Sequence, residues 1–194
     1  MDAGDQSLQG RRVLVTGADG FIGSHLVERL HRDGVEVRAL CLYNSNGSRG
    51  WLDELAPETA REIEFVLADV RDTEAVRTAA SDCEVILHLA ALISIPHSYG
   101  SSESVIETNV MGTYNVLQAA RSLGVERVVH TSTSEVYGTP LELPITEQHP
   151  LQGQSPYSAS KIAADKLCEA WAASFEVPVA VLRPFNTCLL YTSD

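Results

Sequence analysis

The sequence has little positive charge, no long hydrophobic run and few cysteines, and each shortage excludes a class of function. Its 14 lysines and arginines face 26 aspartates and glutamates, which gives a formal net charge of −12. Binding to a nucleic-acid backbone requires clustered positive charge, which an acidic chain of pI about 4.8 does not offer. No apolar run approaches the roughly 18 residues of a membrane span, so no transmembrane helix is expected.

The four cysteines and six histidines show no spacing typical of disulfides or metal ligands. The cysteines are scattered without a C-x-x-C pair, which predicts free thiols. His88 and His130 fall in apparent strands, where we expect core histidines with satisfied hydrogen bonds. We assign no metal site. The acidic N-terminus does not resemble a signal peptide, and the cytoplasm is the expected location.

What the sequence does contain is a regular alternation of predicted strands and helices. This pattern is typical of an α/β fold with a Rossmann-like doubly wound parallel sheet. The predicted strands are 12–16, 35–42, 62–67, 84–89, 126–131 and 178–182. The predicted helices are 22–33, 72–80, 101–123 and 157–175, with a weaker one at 48–56. Gly34 and Gly124 follow helices directly, as C-terminal caps do.

A glycine-spaced turn joins the first strand to the first helix in VLVTGADGFIGSHLVERL, residues 13–30. Gly17 permits the tight turn, Gly20 lets the backbone approach a pyrophosphate, and Gly23 lets the helix lie close to the strand. The helix N-terminus then offers unpaired N–H groups to phosphates. This context predicts dinucleotide binding, with a purely structural turn as the alternative.

A second segment, VVHTSTSEVYG at 128–138, ends a strand in hydroxyl residues followed by an acid. In a parallel sheet, ligand chemistry gathers at the carboxyl ends of the strands. The Thr133 hydroxyl is therefore expected to hydrogen-bond a substrate oxygen or a catalytic phenol, and Glu135 to accept a proton. The alternatives are loop capping by the hydroxyls and a solvated carboxylate.

Tyr157 and Lys161 lie four residues apart in QSPYSASKIAADKL and share one face of a predicted helix. A nearby ammonium favours the ionised phenol, so we expect the pKa of Tyr157 to be lowered toward neutrality, where acid–base catalysis is most effective. Such a pair is weak evidence alone, because it also arises on ordinary helix surfaces. The two preceding segments favour the catalytic interpretation.

Together these segments resemble the extended short-chain dehydrogenase/reductase family, in its NAD-dependent epimerase/dehydratase branch that acts on nucleotide sugars. The resemblance covers residues 11–187 and nearly the whole chain. Its motifs, in order, are TGADGFIG, ADV at 68–70, HLAA at 88–91, TNVMGT at 108–113, TSTSEVYG at 131–138, YSASK at 157–161 and RPFNT at 183–187.

The resemblance implies a role for each matching residue. Tyr157 would be the catalytic base, Lys161 its pKa partner and a ligand of the nicotinamide ribose, and Thr133 the third member of the triad. Ser134 and Asn186 would contact the substrate, Asn186 at its diphosphate. The implied cofactor-binding residues are Gly17, Gly20, Phe21, Ile22, Gly23, Asn44, Asp69, Val70, Leu89, Ala90, Ala91, Tyr157 and Lys161.

Glu135 favours a 4,6-dehydratase within this family, because retaining 4,6-dehydratases carry a glutamate at this position and epimerases usually carry a small residue. Ser134 stands where glucose-type dehydratases have an aspartate, which leaves the proton donor for water loss open. With LYNS at 42–45, GWLDEL at 50–55 and LISIP at 92–96, the chain looks most like dehydratases of nucleotide-linked N-acetylglucosamine. A 4-epimerase or reductase, or a non-catalytic dinucleotide-binding fragment, are the alternatives.

The predicted strand 35–42 lacks the acidic residue that usually follows it and binds the adenosine ribose of NAD. Tyr43, Asn44 and Ser45 follow instead, with Arg38 and Arg49 nearby. An amide or hydroxyl can bind a ribose, whereas an arginine can accept a 2′-phosphate. NAD is the expected cofactor, and NADP remains an alternative.

The predicted domains are a tail at 1–10, a Rossmann domain at 11–187 and a tail at 188–194 that departs from the family. We interpret the chain as C-terminally truncated, with a natural divergent tail as the alternative, and most of the small substrate-binding region missing. The long loop 139–156 is expected to border the substrate pocket.

A homodimer through helices 101–123 and 157–175 is implied by the resemblance. The apolar faces that permit it, and that can equally pack on the sheet, are Val105, Val116, Leu117, Ile162 and Leu167.

Overall fold

The computed structural model of the protein describes residues 8–185, and its centre is a six-stranded parallel sheet. The strands run in the order β3-β2-β1-β4-β5-β6, so the chain reverses its direction of progress across the sheet between β1 and β4. This topology confirms the predicted Rossmann-like fold. The strands are β1 Arg12–Thr16, β2 Glu36–Leu42, β3 Glu64–Ala68, β4 Val85–His88, β5 Arg127–Thr131 and β6 Val179–Leu182.

Seven α-helices accompany the strands within the described residues, and five of them correspond to the four predicted helices. Their bounds are α1 Phe21–Arg32, α2 Pro57–Glu62, α3 Thr73–Ala79, α4 Ile95–Gly100, α5 Ser102–Ile106, α6 Gly112–Leu123 and α7 Pro156–Phe175. Short 3₁₀ helices span Gly50–Glu54 and Ser134–Tyr137. None of the helices within residues 8–185 combines the length and apolarity needed to cross a bilayer.

Two hydrophobic cores cover the two faces of the sheet. Val13 and Val15 of β1 pack into one core with Val27 of α1, whereas Leu14 packs into the other with Val116 of α6. Successive residues of a strand point to opposite faces, so a strand buried on both faces is apolar throughout. This explains why the strands were predictable as continuous apolar runs.

Several elements differ from the predictions. The predicted helix 101–123 is divided into α5 and α6 by a π-helical turn over Glu107–Met111. Within that turn, the Asn109 side chain bonds both to the backbone of Leu92 and to Ser160. A π turn at such a tertiary contact leaves no signal in the apolar periodicity.

The weaker predicted helix 48–56 is a 3₁₀ helix over Gly50–Glu54. Strand β3 begins two residues later than predicted, because the unpredicted helix α2 continues to Glu62. The short helix α4 was also missed. Both missed helices carry a proline in their first turn, which a sequence reading takes for a loop signal. Residues 139–155 contain neither helix nor strand, as predicted.

Three of the residues proposed for a dimer face are instead fully buried inside the single chain. Val105, Val116 and Leu117 each have no exposed area. Ile106 and Met111, which the prediction overlooked, are about half exposed on the same stretch of chain. The apolar periodicity was therefore correct for burial, and for these three residues the structure shows the alternative in which they pack inside the chain.

Candidate active site

A cleft of about 1230 Å³ opens at the carboxyl ends of the strands, where the order of the sheet reverses between β1 and β4. The glycine turn lies in its wall together with Thr133, Glu135, Tyr157 and Lys161. Segments separated by more than a hundred residues thus meet at one site. The predicted residues lining it are Gly17, Gly20, Phe21, Ile22, Gly23, Asp69, Val70, Leu89, Ala90, Ala91, Thr133, Ser134, Glu135, Tyr157 and Lys161.

A side chain is excluded at Gly17 and at Gly23 for different steric reasons. Gly17 has a φ of +67°, and a Cβ there would lie 2.7 Å from the Ala90 backbone nitrogen at the end of β4. A Cβ on Gly23 would overlap the carbonyl oxygen of Gly17. Gly20 is the N-cap of α1 and supplies no side-chain cap. The first N–H groups of α1 therefore remain available to an anionic ligand.

Asp69 follows β3 and lies at the edge of the cleft, held by an arginine. Its Oδ2 atom is 2.6 Å from Nη2 of Arg71. Hydrogen bonding from Arg71 keeps the pKa of Asp69 below its ordinary value. The Asp69 carboxylate is thus ionised and held in one orientation at neutral pH, so it can accept a hydrogen bond from a ligand.

Thr133 connects the two groups predicted to exchange protons. Its hydroxyl accepts a hydrogen bond of 3.2 Å from the backbone N–H of Glu135, capping the short helix Ser134–Tyr137. The same side chain hydrogen-bonds the Tyr157 phenol, which lowers the pKa of Tyr157. Glu135 is exposed to the cleft, whereas Tyr157 is buried. The structure therefore brings all three residues to one end of the cleft.

The expected lowering of the Tyr157 pKa by Lys161 is wrong in this structure. Burial is the largest effect on the phenol and raises its pKa, and the negative charge of Glu135 raises it further. The Thr133 hydrogen bond acts in the opposite direction without reversing the result. Helical spacing placed the two side chains on one face, but sequence alone did not reveal how deeply the phenol is buried.

Lys161 is 2% exposed, and its ammonium is directed at the end of β5. Nζ donates a hydrogen bond of 2.8 Å to the carbonyl oxygen of Thr131 and lies 3.4 Å from Nε2 of His130. Burial lowers the pKa of Lys161 to about 8, while the negative charge of Asp165 counteracts the fall. Lys161 therefore titrates close to physiological pH, which suits a group that interacts with a proton-transferring neighbour.

Behind Lys161 lies a buried polar cluster that the sequence analysis did not identify as a unit. Asp165, one further helical turn along α7, has no exposed area and binds Nε of Arg183 at 2.8 Å. Its other oxygen is 3.6 Å from Nε2 of His130. Burial, followed by the positive charge of Lys161, lowers the pKa of His130. The i, i+4, i+8 spacing of Tyr157, Lys161 and Asp165 was a signal that could have found this cluster.

His88 and His130 fulfil the expectation of core histidines to different degrees. His88 hydrogen-bonds the hydroxyls of Thr16 at 2.7 Å and Thr113 at 3.1 Å. Nδ1 of His130 has no hydrogen-bond partner among residues 8–185. Within the same residues, no three His, Cys, Asp or Glu side chains form a group that would hold a metal ion. Cys41, Cys83 and Cys168 are buried free thiols, as predicted.

One predicted site residue is absent from the cleft lining, and another falls outside the described residues. Asn44 is not among the lining residues; its amide bonds the backbone of its own loop, at Leu42, Asn46 and Ser48. Asn186 lies outside the described residues. Lining residues that the sequence analysis did not assign include Asp19, Trp51, Glu54, Arg71, Ser132 and Pro184.

Comparisons with known proteins agree with this arrangement. The family model described as GDP-mannose 4,6 dehydratase matches residues 14–192. A UDP-glucose 4-epimerase of Mycolicibacterium smegmatis is 39% identical over 178 residues, covering 90% of this chain and 56% of the relative. A dTDP-glucose 4,6-dehydratase of Streptomyces niveus is 36% identical over 182 residues, covering 90% of this chain and 53% of the relative. The chain thus spans about half the length of the curated relatives it matches.

Solved structures give the same result. A dTDP-glucose 4,6-dehydratase double mutant from Streptomyces venezuelae, solved with NAD bound, superposes with a TM-score of 0.80 at 36% identity, covering 89% of this chain and 55% of that one. A UDP-glucose 4-epimerase from Thermus thermophilus in complex with NAD gives 0.78 at 35% identity, covering 89% and 54%. The chain therefore belongs to the extended short-chain dehydrogenase/reductase family, in the nucleotide-sugar branch matched by the GDP-mannose 4,6 dehydratase model.

Proposed function

We propose that this chain binds NAD in its cleft and carries the catalytic residues of a nucleotide-sugar 4,6-dehydratase, a lyase. The site fits a dinucleotide on three counts. The glycines of the turn let the backbones of β1, α1 and the segment after β4 approach more closely than a Cβ at Gly17 or Gly23 would allow. The uncapped N-terminus of α1 offers donors to a pyrophosphate, and the cleft of about 1230 Å³ is lined from Asp69 to Tyr157. The NAD-bound structures of relatives support the choice of cofactor.

The observation that carries the dehydratase assignment is the position of Glu135. It lies in the same cleft as Tyr157, near enough for its charge to raise the phenol's pKa, and its backbone is fixed by the Thr133 hydroxyl. An epimerase requires one proton-transferring group at C4 of the sugar, whereas a 4,6-dehydratase also requires a base at C5. A carboxylate beside the phenol meets that second requirement.

The residues then divide the reaction between them. Tyr157, hydrogen-bonded to Thr133, acts as a phenolate that Lys161 stabilises, and it becomes the neutral phenol when it removes the proton of the C4 hydroxyl. NAD, when bound, supplies the acceptor for the C4 hydride and returns that hydride to C6. Glu135 takes the C5 proton, which the C4 ketone makes acidic, and passes it to the C6 hydroxyl, which then leaves as water. A proton finally returns to C5, so the product is a 4-keto-6-deoxy sugar with one water lost.

The test is mass spectrometry of UDP- and dTDP-linked sugars incubated in D₂O with NAD and a stoichiometric amount of the 194-residue chain. Because one turnover suffices, slow catalysis remains detectable. We expect the sugar to lose one water and to gain one deuterium at C5. Glu135→Gln should abolish both changes without affecting NAD binding. Water loss by Glu135→Gln at the unaltered rate would contradict the role of Glu135.

A 4-epimerase is the second candidate, since the Mycolicibacterium smegmatis relative carries that name. Thr133, Tyr157 and Lys161 serve either reaction. In the same assay an epimerase would invert C4 without a change in mass. If NAD binds but neither product forms, the chain is a dinucleotide-binding fragment without activity of its own.

We also propose that two copies associate through α5, α6 and α7. Val105 and its buried neighbours cannot form the interface. The dimer proposal is supported instead by Ile106 and Met111, which are exposed on this stretch of chain. Light scattering of the unaltered chain and of the double variant Ile106→Ser/Met111→Ser tests this. We expect the mass of a dimer for the unaltered chain and of a monomer for the variant, and a monomeric unaltered chain would contradict the proposal.

A further inference from the structure

The end of β2 lacks its usual acid, but a carboxylate from another segment occupies that place. Strand β2 ends at Leu42, and Tyr43, Asn44 and Ser45 follow it. Asp19, from the glycine turn, accepts a hydrogen bond of 3.3 Å through Oδ2 from the backbone N–H of Leu42. Asp19 also lines the cleft. Its carboxylate thus lies beside the strand end at which dinucleotide-binding sheets hold the adenosine ribose.

The backbone of Asp19 is fixed by the 3₁₀ helix Gly50–Glu54. Its carbonyl oxygen accepts a hydrogen bond of 3.1 Å from the N–H of Trp51. Gly50 has a φ of +58°, and a Cβ there would collide with the same carbonyl group. Oδ1 of Asp19 accepts no hydrogen bond from residues 8–185, so one carboxylate oxygen remains available to a ligand.

The arginines near this end of the cleft are already engaged. Arg38 is buried, donates to the carbonyl oxygens of Ala79 and Ser81, and pairs with Glu64 at 2.8 Å.

Arg49 pairs with Asp53 at 2.9 Å and lies 4.3 Å over the ring of Phe65. Neither Arg38 nor Arg49 is among the cleft-lining residues, and Arg71, which is, pairs with Asp69 and Glu107. A 2′-phosphate entering here would meet Asp19 without an unpaired arginine from the described part of the chain.

We propose that Asp19 selects NAD over NADP by accepting a hydrogen bond from the 2′-hydroxyl of the adenosine ribose and repelling a 2′-phosphate. The inference rests on the dinucleotide binding proposed above and decides the cofactor choice that the sequence left open. A hydrogen bond to an ionised acceptor is stronger than one between neutral groups. Two anions at contact distance in a cleft of reduced polarity repel each other. Both effects favour NAD over NADP.

Isothermal titration calorimetry of NAD and of NADP with the 194-residue chain tests this. The variants are Asp19→Asn and Asp19→Ser, each of which keeps an acceptor for the N–H of Leu42. Glu54→Gln is the matched control, since Glu54 also lines the cleft and its replacement removes the same charge. Thermal unfolding of each variant verifies that the fold is retained.

We expect the unaltered chain to prefer NAD, and both Asp19 variants to lower the ratio of NAD to NADP affinity by at least about tenfold. Glu54→Gln should change that ratio by less than about threefold. An unchanged ratio in the Asp19 variants, an equal change in Glu54→Gln, or a preference of the unaltered chain for NADP would each overturn the inference while leaving dinucleotide binding intact. If the unaltered chain bound neither nucleotide, the proposed function itself would fail.

Discussion

His88 links β1 to α6 through two threonine hydroxyls, and its burial makes the fold sensitive to acid. Desolvation, and then the positive charge of Lys161, lowers the pKa of His88 to about 3. Between pH 6.5 and 3 the unfolded chain therefore binds a proton here that the folded chain does not. Stability must fall as the pH falls through this range.

We expect His88→Gln to reduce this acid sensitivity. Between pH 7 and pH 4.5 the unaltered chain should lose about 3 kcal/mol more of its unfolding free energy than the variant. Urea denaturation at the two pH values measures the difference. His97→Gln, at an exposed position, controls for the loss of a histidine. An equal loss in His88→Gln and the unaltered chain would contradict the neutral state of His88.

Burial raises the pKa of Tyr157, and Thr133 opposes that rise. Its hydrogen bond is the effect that lowers the phenol's pKa against burial and the charge of Glu135. Thr133→Val removes this bond with little change in shape, so we expect the pKa of Tyr157 to rise further. Titration of ¹³C-labelled tyrosines by NMR, assigned with Tyr157→Phe, measures the shift. Ser134→Ala is the control; a pKa that stayed constant or fell in Thr133→Val would refute this role.

At the scale of elements, the junction of β1 and α1 depends on the absence of side chains. Gly23→Ala would drive a methyl group into the Gly17 carbonyl, and overpacking of this kind costs about 2 kcal/mol or more. Gly100→Ala is the matched control, because no atom lies within 4 Å of its added Cβ. We expect that control to stay within about 0.5 kcal/mol of the unaltered chain. Urea denaturation measures the unfolding free energy of both variants. Equal values for Gly23→Ala and Gly100→Ala would contradict the proposed steric clash at Gly23.

The sequence predicted the elements that obey a simple period and missed those fixed by tertiary contacts. All six strands and the helices α1, α3 and α7 were found, because continuous apolar runs and amphipathic stripes record burial directly. The π turn at Asn109 and the helices α2 and α4 depend on side-chain bonds or on first-turn prolines that look like loop signals. Motif order likewise located the cleft residues.

What motifs did not give was the electrostatics of the cleft. Burial reversed the predicted shift of the Tyr157 pKa, and burial depends on the packing of α7 against the whole sheet. Asp19 escaped notice because it reaches the end of β2 from another segment. Asn44, chosen by its proximity in sequence, bonds its own loop instead.

At the scale of the molecule, the side chains proposed as catalytic lie in a chain that spans about half the length of its matched relatives. We expect it to bind NAD weakly and to dehydrate nucleotide sugars at least about 100-fold more slowly than a relative assayed in parallel, because binding energy from the whole substrate is needed to orient its reacting centre. Steady-state mass spectrometry, with the Streptomyces niveus enzyme as reference, measures this. Comparable rates would refute it.

Strand β6 forms one edge of the sheet described here, with Leu182 54% exposed and its outer backbone groups unpaired by any strand within residues 8–185. An open edge of this kind is a template onto which another extended segment can add by backbone hydrogen bonding. We expect association of the 194-residue chain to increase with its concentration, because an extended segment of a neighbouring molecule can pair with β6.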